Sequence, residues 1–261
     1  MKALRVLLRS GALAACTLGW TAVWLVGLPF AAWAGRGERW RARIFQSWAR
    51  VCTQVIGMRV EREGPLPAGP VLLVSNHLGY VDIVLIASQL RCVFVSKAEV
   101  GSWPVLGVLS RWMQTLFVDR GLRRDVLRVS EQVRERLERG QSVVLFPEGT
   151  SSGGSGVLRF HSALLASAAS GERAVYHATL RYFTPEGAPP PAEVICWWGD
   201  MRFGSHVRRL LAVRSFRARI AFGPEPIQDT DRKSLARRLH AEVASRFGSL
   251  RESEESCLIG A

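Results

Sequence analysis

The chain has 261 residues, which is long enough to bury a full hydrophobic core in one large domain or two small ones. Its 35 lysine and arginine residues outnumber 22 aspartate and glutamate residues, and the formal charge of +13 favours an anionic partner such as a phosphorylated substrate or an anionic membrane surface. No nucleic-acid partner is expected, because no zinc-ligand spacing, aromatic RNA-binding signature or basic region before heptads accompanies the charge. The five cysteines are scattered without a Cys-x-x-Cys pair, so the sequence predicts neither a disulfide framework nor a zinc site, as fits a reducing compartment.

The first predicted element is a long apolar segment near the N-terminus. Residues 11–35, GALAACTLGWTAVWLVGLPFAAWAG, contain no charged side chain, and this run of 25 residues exceeds the roughly 20 needed to cross the hydrocarbon core of a bilayer. A cleaved signal peptide would have a shorter apolar region, so membrane attachment is the preferred interpretation. Basic residues on both sides draw both ends towards the cytoplasm by the positive-inside rule. They are Lys2, Arg5, Arg9, Arg36, Arg39, Arg41 and Arg43.

This charge distribution leaves two membrane arrangements open. In one, the segment dips into the bilayer at Pro29 and returns, and the amphipathic stretch 44–58 lies in the interface with the Arg50 side chain snorkelling to water. In the other, the apolar segment is a single spanning anchor. Either arrangement makes residues 1–60 a membrane-attachment segment, and we expect the protein on the cytoplasmic face of the inner (plasma) membrane.

Strand-like and helix-like segments alternate after a turn-rich connector at residues 61–70. Predicted strands are 71–75, 92–96, 115–118, 142–146, 174–182, 193–198 and 216–222. Predicted helices are 82–89, 103–112, 124–139, 160–168, 203–211 and 231–247. The alternation predicts an α/β fold with a mixed sheet layered with helices. Residues 61–249 are expected to form one domain, with a flexible loop at the Ser/Gly-rich stretch 151–156 and a flexible tail at 250–261.

A histidine and an aspartate follow the strand 71–75, at positions where apolar side chains would pack more easily. His77 comes directly after Asn76, and Asp82 opens the next helix. A carboxylate at this position is able to accept a hydrogen bond from one imidazole nitrogen, which fixes the tautomer and leaves the other nitrogen as a base. The alternative is that Asp82 only caps the helix and His77 only packs, and the spacing leaves both interpretations open.

A second polar pair stands at the end of a strand in LFVDRG, residues 116–121. The Arg120 guanidinium is suited to a bidentate grip on a phosphate if it opens toward a pocket. The alternative is that Arg120 pairs with Asp119 at the surface.

A third polar group follows the strand 142–146 in VVLFPEGTSS. Phe146 ends the strand and Pro147 sets a turn. The turn presents a carboxylate, a flexible backbone and a hydroxyl group from Glu148, Gly149 and Thr150. This stretch is not a nucleotide-binding P-loop, and the chain has no Gly-x-Ser-x-Gly nucleophile motif, which argues against a serine esterase.

Three polar strand ends are typical of a site at the edge of an α/β sheet. Together NHLGYVD, FVDRG and FPEGT resemble, in order and spacing, the first three motifs of the glycerolipid acyltransferase superfamily, the family of bacterial 1-acyl-sn-glycerol-3-phosphate acyltransferases. The resemblance covers roughly residues 71–180. It implies a glycerol-3-phosphate acyltransferase-like fold with His77 as general base, Asp82 as its partner and substrate held by Arg120 and the Glu148–Gly149 turn. Thr150 is assigned to the same substrate-binding group, and Asn76, Phe146 and Pro147 are assigned supporting positions.

Two departures from the family pattern concern the expected substrate pocket. Ser151 stands where the family often has arginine, and His177 stands at or near the proline of the fourth motif. The stretches FPEGTSSGG and CWWGDMRFGSH are similar to a branch of the superfamily that includes ornithine-lipid acyltransferases. The remaining histidines, His161, His177, His206 and His240, are interpreted as structural. Trp197 and Trp198 are interpreted as core or interface residues rather than as an acyl pocket.

The resemblance implies transfer of an acyl chain from acyl-CoA or acyl-carrier protein to the free hydroxyl of 1-acyl-sn-glycerol-3-phosphate, which gives phosphatidic acid. Because the thioester is already activated, no metal ion or other cofactor is expected. The first alternative keeps this chemistry and changes the acceptor to lyso-ornithine lipid. The second alternative is a non-catalytic membrane lipid-binding protein, against which the intact His77 and Asp82 pair argues.

Overall fold

A mixed β-sheet forms the centre of the protein, in a computed structural model that describes residues 1–104, 106–170 and 173–259. Its strands are β1 (Met58–Glu63), β2 (Leu72–Ser75), β3 (Cys92–Lys97), β4 (Leu116–Val118), β5 (Ser142–Leu145), β6 (Val175–Phe183) and β7 (Phe216–Phe222). The strand order is β1-β7-β6-β2-β5-β3-β4, and of the neighbouring pairs only β6 and β7 are antiparallel. The prediction of an α/β fold with a mixed sheet is therefore confirmed.

Helices cover both faces of this sheet. They are α1 (Lys2–Trp33), α2 (Gly37–Val55), α3 (Val81–Gln89), α4 (Leu106–Trp112), α5 (Arg123–Glu138), α6 (Ala166–Ser170), α7 (Pro191–Val194), α8 (Phe203–Ala212) and α9 (Arg232–Ile259), with short 3₁₀ helices at Ala98–Ser102 and Ala163–Leu165. One hydrophobic core joins the sheet to α2, α3 and α8, and a second core joins it to α5, α6 and α9. The predicted apolar stripe of α5 is buried in the second core at Val129, Val133 and Leu137.

The N-terminal apolar segment forms the first arm of a helical hairpin. Among the described residues, α1 is the one helix that is long and apolar enough to cross a bilayer. It continues through Pro29, and the chain reverses only at residues 34–36. The predicted return of the chain at Pro29 is therefore wrong. A proline removes one backbone donor, but here the helix continues beyond it.

The two arms of the hairpin run antiparallel. The Trp40 indole N–H donates to the Trp24 carbonyl over 3.2 Å, and the Trp48 indole N–H donates to the Thr17 hydroxyl over 3.1 Å. Residues later in α2 thus contact residues earlier in α1, and the free end of α1 lies beside the folded domain.

The second arm packs against the domain. Phe45 and Ala49 of α2 are buried, and the Arg50 Nε–H donates to the Ser88 carbonyl near the end of α3 over 3.0 Å. The stretch 44–58 thus packs on the protein with part of its surface, while Arg50 is exposed, and its position in a membrane interface stays a prediction. The apolar stripe of α2 is buried against the protein core, and Arg50 pairs with a protein carbonyl.

Three other segments differ from the sequence-based expectation. β1 is a strand at the edge of the sheet, so the sheet begins inside the predicted attachment segment 1–60. Residues 193–198, predicted as a strand, instead finish α7 and continue as a turn and loop, because Pro191 already has the backbone angle of a first helical residue. The segment 250–261, predicted as a flexible tail, is helical through residue 259, and its last two residues lie outside the described part.

Candidate active site

The candidate site lies at the carboxyl-terminal edge of the parallel strands. β2, β3, β4 and β5 are parallel, so the loops that follow them meet at one edge of the sheet. His77, Arg120, Phe146, Gly149 and Thr150 line one cavity there of about 350 Å³. The three sequence motifs therefore meet in one place. The described residues contain no group of three or more His, Cys, Asp or Glu side chains suited to holding a metal ion.

His77 and Asp82 form a hydrogen-bonded pair at the end of β2. The His77 Nδ1–H donates to Asp82 Oδ2 over 2.7 Å, and Asp82 is fully buried. Because Nδ1 is occupied, Nε2 is the ring nitrogen left for the cavity that His77 lines. A carboxylate that fixes the tautomer and a free second nitrogen are the arrangement of a general base.

The same carboxylate organises the loop that carries the histidine. Asp82 Oδ2 also accepts the backbone N–H groups of Leu78 over 2.6 Å and Gly79 over 3.0 Å, and Oδ1 accepts the Tyr182 hydroxyl of β6 over 2.6 Å. Hydrogen bonds to its charged form offset the free energy of burying this carboxylate. Asp82 thus contacts the imidazole and binds N–H groups of the loop before α3, while no side-chain cap is found at the start of α3 among the described residues, so the alternative that Asp82 only caps the helix is wrong.

Two of the supporting residues hold His77 in place. The Phe146 ring stacks on the imidazole, with ring centroids 4.1 Å apart and planes inclined by 19°. The buried Asn76 side chain donates to the Leu180 carbonyl over 3.0 Å and accepts the Leu180 N–H over 2.8 Å. The Ser152 N–H donates to the His77 carbonyl over 2.9 Å. These contacts tie the loop to β6 and limit motion of the ring.

Arg120 extends from the end of β4 into the cavity. Its Nη1 donates to the Gly149 carbonyl. In the part of the chain that the structure describes, no ion pair joins it to Asp119, whose Oδ1 accepts the Gly121 N–H over 2.9 Å instead. The alternative of a surface pair with Asp119 is therefore wrong. The guanidinium lines the same cavity as His77 and has further donors for an anionic group.

In the turn after Pro147, Gly149 lines both the His77 cavity and a neighbouring cavity, whereas Glu148 lines only the neighbouring one. Gly149 has a φ of 78°, and a Cβ here would lie 2.6 Å from the Arg120 guanidinium, so glycine suits both the backbone and the contact. Glu148 is only 3% exposed and lines a neighbouring cavity rather than the one at His77. Pro147 likewise lines the neighbouring cavity and does not line the cavity at His77.

Burial raises the pKa of the Glu148 carboxyl to about 8. The charge of Asp82 acts in the same direction, while the backbone N–H groups of His77 and Leu158 oppose the shift. A carboxyl with this pKa is largely protonated at neutral pH. Glu148 therefore differs from Asp82, which accepts hydrogen bonds from His77, Tyr182 and two backbone N–H groups.

A tryptophan-containing loop forms another wall of the His77 cavity. Trp197 and Trp198 both line the cavity, and Trp197 also packs against Tyr80, Trp103 and Phe203. The Trp197 N–H donates to the Leu78 carbonyl over 2.8 Å, and the Trp198 ring covers Gly153. The adjacent tryptophans in CWWGD were the available sequence signal, but no local pattern identified Tyr182 as a partner of Asp82.

The two departures from the family pattern lie in different parts of the structure. Ser151 lines the His77 cavity, and its hydroxyl donates to the Trp197 carbonyl over 2.6 Å. His177 is buried beside Gly223 and lines a separate cleft. The expectation that both departures touch the substrate pocket is therefore wrong for His177, because its side chain points to the other face of the sheet from Tyr176 and Ala178.

Comparisons with known proteins agree with this geometry. The acyltransferase family model matches residues 57–180. Lyso-ornithine lipid O-acyltransferase from Pseudomonas aeruginosa is 35% identical over 253 residues, which cover 93% of each chain. The 1-acyl-sn-glycerol-3-phosphate acyltransferase of Neisseria gonorrhoeae is 38% identical over 132 residues, 51% of this chain and 52% of that protein.

The fold is also found in a solved structure. The 1-acyl-sn-glycerophosphate acyltransferase PlsC from Thermotoga maritima superposes with a TM-score of 0.69 at 17% identity and covers 96% of this chain and 98% of that chain. This likeness supports the fold, and the long sequence match to the Pseudomonas protein supports the family. Together with the apolar helix α1, these relatives also indicate that the protein associates with membranes. The chain belongs to the acyltransferase family, whose members in this comparison acylate lysolipids.

Proposed function

We propose that the protein moves an acyl chain from a thioester donor to a free hydroxyl of lyso-ornithine lipid. The observation that carries the chemistry is the His77–Asp82 pair, with Nδ1 held over 2.7 Å and Nε2 left for the cavity. A lipid hydroxyl has a high pKa and is a poor nucleophile, so transfer needs a base within hydrogen-bond reach. His77 Nε2 is positioned to be that base.

In the proposed reaction the proton moves twice. His77 Nε2 takes the hydroxyl proton while the hydroxyl oxygen attacks the thioester carbon and forms the new C–O bond. Collapse of the tetrahedral intermediate then breaks the C–S bond, and the imidazolium gives its proton to the departing thiolate. Asp82 stabilises the imidazolium between these steps. The products are an acylated lipid and a free thiol.

The choice of acceptor rests on the relatives and on the cavity. Proteins named lyso-ornithine lipid O-acyltransferase match 93% of the chain in Pseudomonas aeruginosa and 78% in Brucella abortus, against about half for the Neisseria protein. Ser151 replaces a cation that the family often has beside the turn. Ornithine carries both a carboxylate and an ammonium group, and the cavity offers Arg120 and Lys97 for the first and Glu99 for the second.

A panel of lysolipid acceptors tests this proposal directly. Labelled acyl-CoA and labelled acyl-carrier protein are each supplied with lyso-ornithine lipid or 1-acyl-sn-glycerol-3-phosphate. We expect a higher kcat/KM with lyso-ornithine lipid. Preferential acylation of the phosphate lipid would contradict the proposed acceptor and keep the chemistry, whereas transfer to neither lipid would contradict both.

1-Acyl-sn-glycerol-3-phosphate is the second candidate acceptor, and its product would be phosphatidic acid. The exposed Arg120 guanidinium in the His77 cavity favours it, since arginine grips phosphate well. Competition between the two lysolipids in one reaction separates the candidates, because the preferred acceptor suppresses acylation of the other.

We place the enzyme on the cytoplasmic face of the inner membrane, attached through α1. Arg5 and Arg9 donate to the Ala212 and Arg214 carbonyls at the end of α8, over 2.7 Å and 2.9 Å, and a fully spanning α1 would lose these contacts. An α1 that stays packed on the domain and lies in one leaflet keeps them. Its exposed apolar side chains are Leu4, Leu7, Leu8, Leu18, Val23, Leu25, Val26, Phe30 and Trp33.

Exchange of exposed apolar residues tests this attachment without removing the hairpin. A variant with Leu7→Asn, Leu18→Asn and Phe30→Asn should leave membranes in high salt, because buried apolar area holds the helix while salt screens the basic surface. The matched control is Leu127→Asn with Leu158→Asn, two exposed leucines elsewhere on the domain. Sedimentation with membranes after the triple exchange would contradict the proposed attachment.

A further inference from the structure

A basic cleft of about 490 Å³ lies beside the candidate active site. Arg159, Lys233 and Arg237 line it together with the imidazoles of His161 and His240, and none of the described residues that line it is acidic. Lys233 and Arg237 are one helical turn apart on α9, so their side chains lie on the same side of the helix. The cleft thus concentrates positive charge in a concave surface.

The cations of this cleft have no protein partners among the residues that the structure describes. Within residues 1–104, 106–170 and 173–259, no hydrogen bond or ion pair engages the side chains of Arg159, Lys233 or Arg237. Arg238, the next residue on α9, shows the contrast, since it binds Asp229 over 3.3 Å and lies outside the cleft. Clustered cations repel one another, and a polyanion in the cleft would relieve that repulsion.

The cleft adjoins a second cavity, which in turn adjoins the cavity of His77. His161 lines the cleft and this second cavity of about 400 Å³, and its backbone N–H donates to the Pro147 carbonyl over 2.8 Å. The second cavity shares Arg120, Gly149 and Thr150 with the His77 cavity. The three cavities therefore follow one another from the basic cleft to His77, which is the course that a long and narrow ligand would take.

The cleft and the hairpin lie on opposite faces of the sheet. α2, together with parts of α1, packs on the core that contains α3 and α8, whereas α9 packs on the core that contains α5. If the hairpin attaches the protein to a membrane, the basic cleft faces away from it. Its ligand is then a water-soluble polyanion and not the headgroup of a membrane lipid.

We propose that this cleft binds the phosphate-bearing end of the pantetheine thioester donor, whose arm reaches His77 through the second cavity. This proposal rests on the proposed acyl transfer. Both acyl-CoA and acyl-carrier protein carry a phosphate at the end of a narrow pantetheine arm with the thioester at its other end. The donor therefore enters from water on the α9 side, and the lipid acceptor enters from the side of the hairpin.

The experiment compares donors with and without phosphate groups. The double variant Lys233→Ala with Arg237→Ala is assayed with acyl-CoA, with acyl-carrier protein and with the S-acyl-N-acetylcysteamine thioester, which lacks phosphate. We expect the KM for at least one phosphorylated donor to rise about tenfold or more, with kcat little changed, because each charge-assisted contact contributes several-fold to affinity. The KM for the truncated thioester should not change.

The three donors and one control variant make the result decisive. A rise with acyl-CoA or with acyl-carrier protein supports the proposal and identifies the carrier. An unchanged KM for both, or an equal rise with the truncated thioester, overturns it. Arg139→Ala removes an exposed cation at the end of α5 and should leave all three KM values unchanged. If the wild-type protein acylates no lysolipid, the proposed function fails, and that outcome differs from an active wild type with an unaffected variant.

Discussion

The loop after β2 and the turn after β5 meet beside His77, and each buries a carboxyl group in a different way. Asp82, at the start of α3 directly after this loop, is fully buried and accepts hydrogen bonds from His77, Tyr182 and two backbone N–H groups. Glu148 in the turn is equally buried, but its pKa is raised to about 8. The contrast indicates that the hydrogen-bond partners of a buried carboxyl decide whether it orients a catalytic side chain or packs as a protonated group.

Removal of His77, the proposed general base, should have the largest effect on activity. His77→Ala should lower acyl transfer by about a hundredfold to ten-thousandfold, because general base catalysis contributes on this scale. The ring is partly exposed and Asp82 keeps its hydrogen bonds from Tyr182 and two backbone N–H groups, so the melting temperature should fall only modestly and membrane binding should stay close to that of the wild type. Transfer is measured with labelled thioester, and a variant that retains most of its turnover would contradict the mechanism.

Removal of the Arg120 guanidinium, which contacts the turn at Gly149, should have the next largest effect. Arg120→Ala should lower kcat/KM for the acceptor about tenfold to a hundredfold, as expected for loss of a hydrogen-bonded charge, and Arg120→Lys should lower it less. Basal thioester hydrolysis should change much less, because water is then the acceptor. Arg123→Ala on the exposed start of α5 is the control. Equal losses in transfer and hydrolysis would assign Arg120 to the donor or to the fold.

Much of the loop was predictable from the sequence, because its chemistry is encoded locally. His77 and Asp82 are separated by four residues and lie at a strand-to-helix junction, and the structure joins them over 2.7 Å. The turn was less predictable, since Glu148 stands in a recognisable motif but its burial depends on distant packing. Tyr182 was not predictable at all, because it lies 100 residues from Asp82 and reads locally as a strand residue.

The hairpin and the missed strand follow the same rule. An apolar run of 25 residues identifies α1 as a membrane-type segment, but where the chain turns depends on packing against α2 and α8. β1 was missed because Met58–Glu63 alternates charged and apolar residues at an exposed sheet edge, where few apolar side chains mark a strand.

A smaller change to the hydrogen bonds of Asp82 is available at Tyr182 on β6. Tyr182→Phe keeps the ring and removes the hydrogen bond to Asp82 Oδ1, so transfer should fall several-fold and stability should fall by about 1 kcal/mol. With one partner lost, Asp82 holds the His77 ring less firmly, so kcat should fall while the acceptor KM stays nearly unchanged. Tyr176→Phe, on the same strand, is the control. A fall in stability with an unchanged kcat would make Tyr182 purely structural.

The smallest effect on activity should come from Glu148. Because its carboxyl holds a proton up to a pKa of about 8, while an ordinary glutamate releases it near 4.5, the folded state binds more protons than the unfolded chain between these values. This contribution to stability is complete below pH 4.5 and is lost as pH rises towards 8. Glu148→Gln imitates the protonated form, so its unfolding midpoint in denaturant should decline less than that of the wild type across this range, and its kcat and acceptor KM should stay nearly unchanged. A large rise in acceptor KM would instead support the substrate-binding role that the sequence motif suggested. Glu148 would then bind the acceptor directly and would not be only a neutral part of the packing.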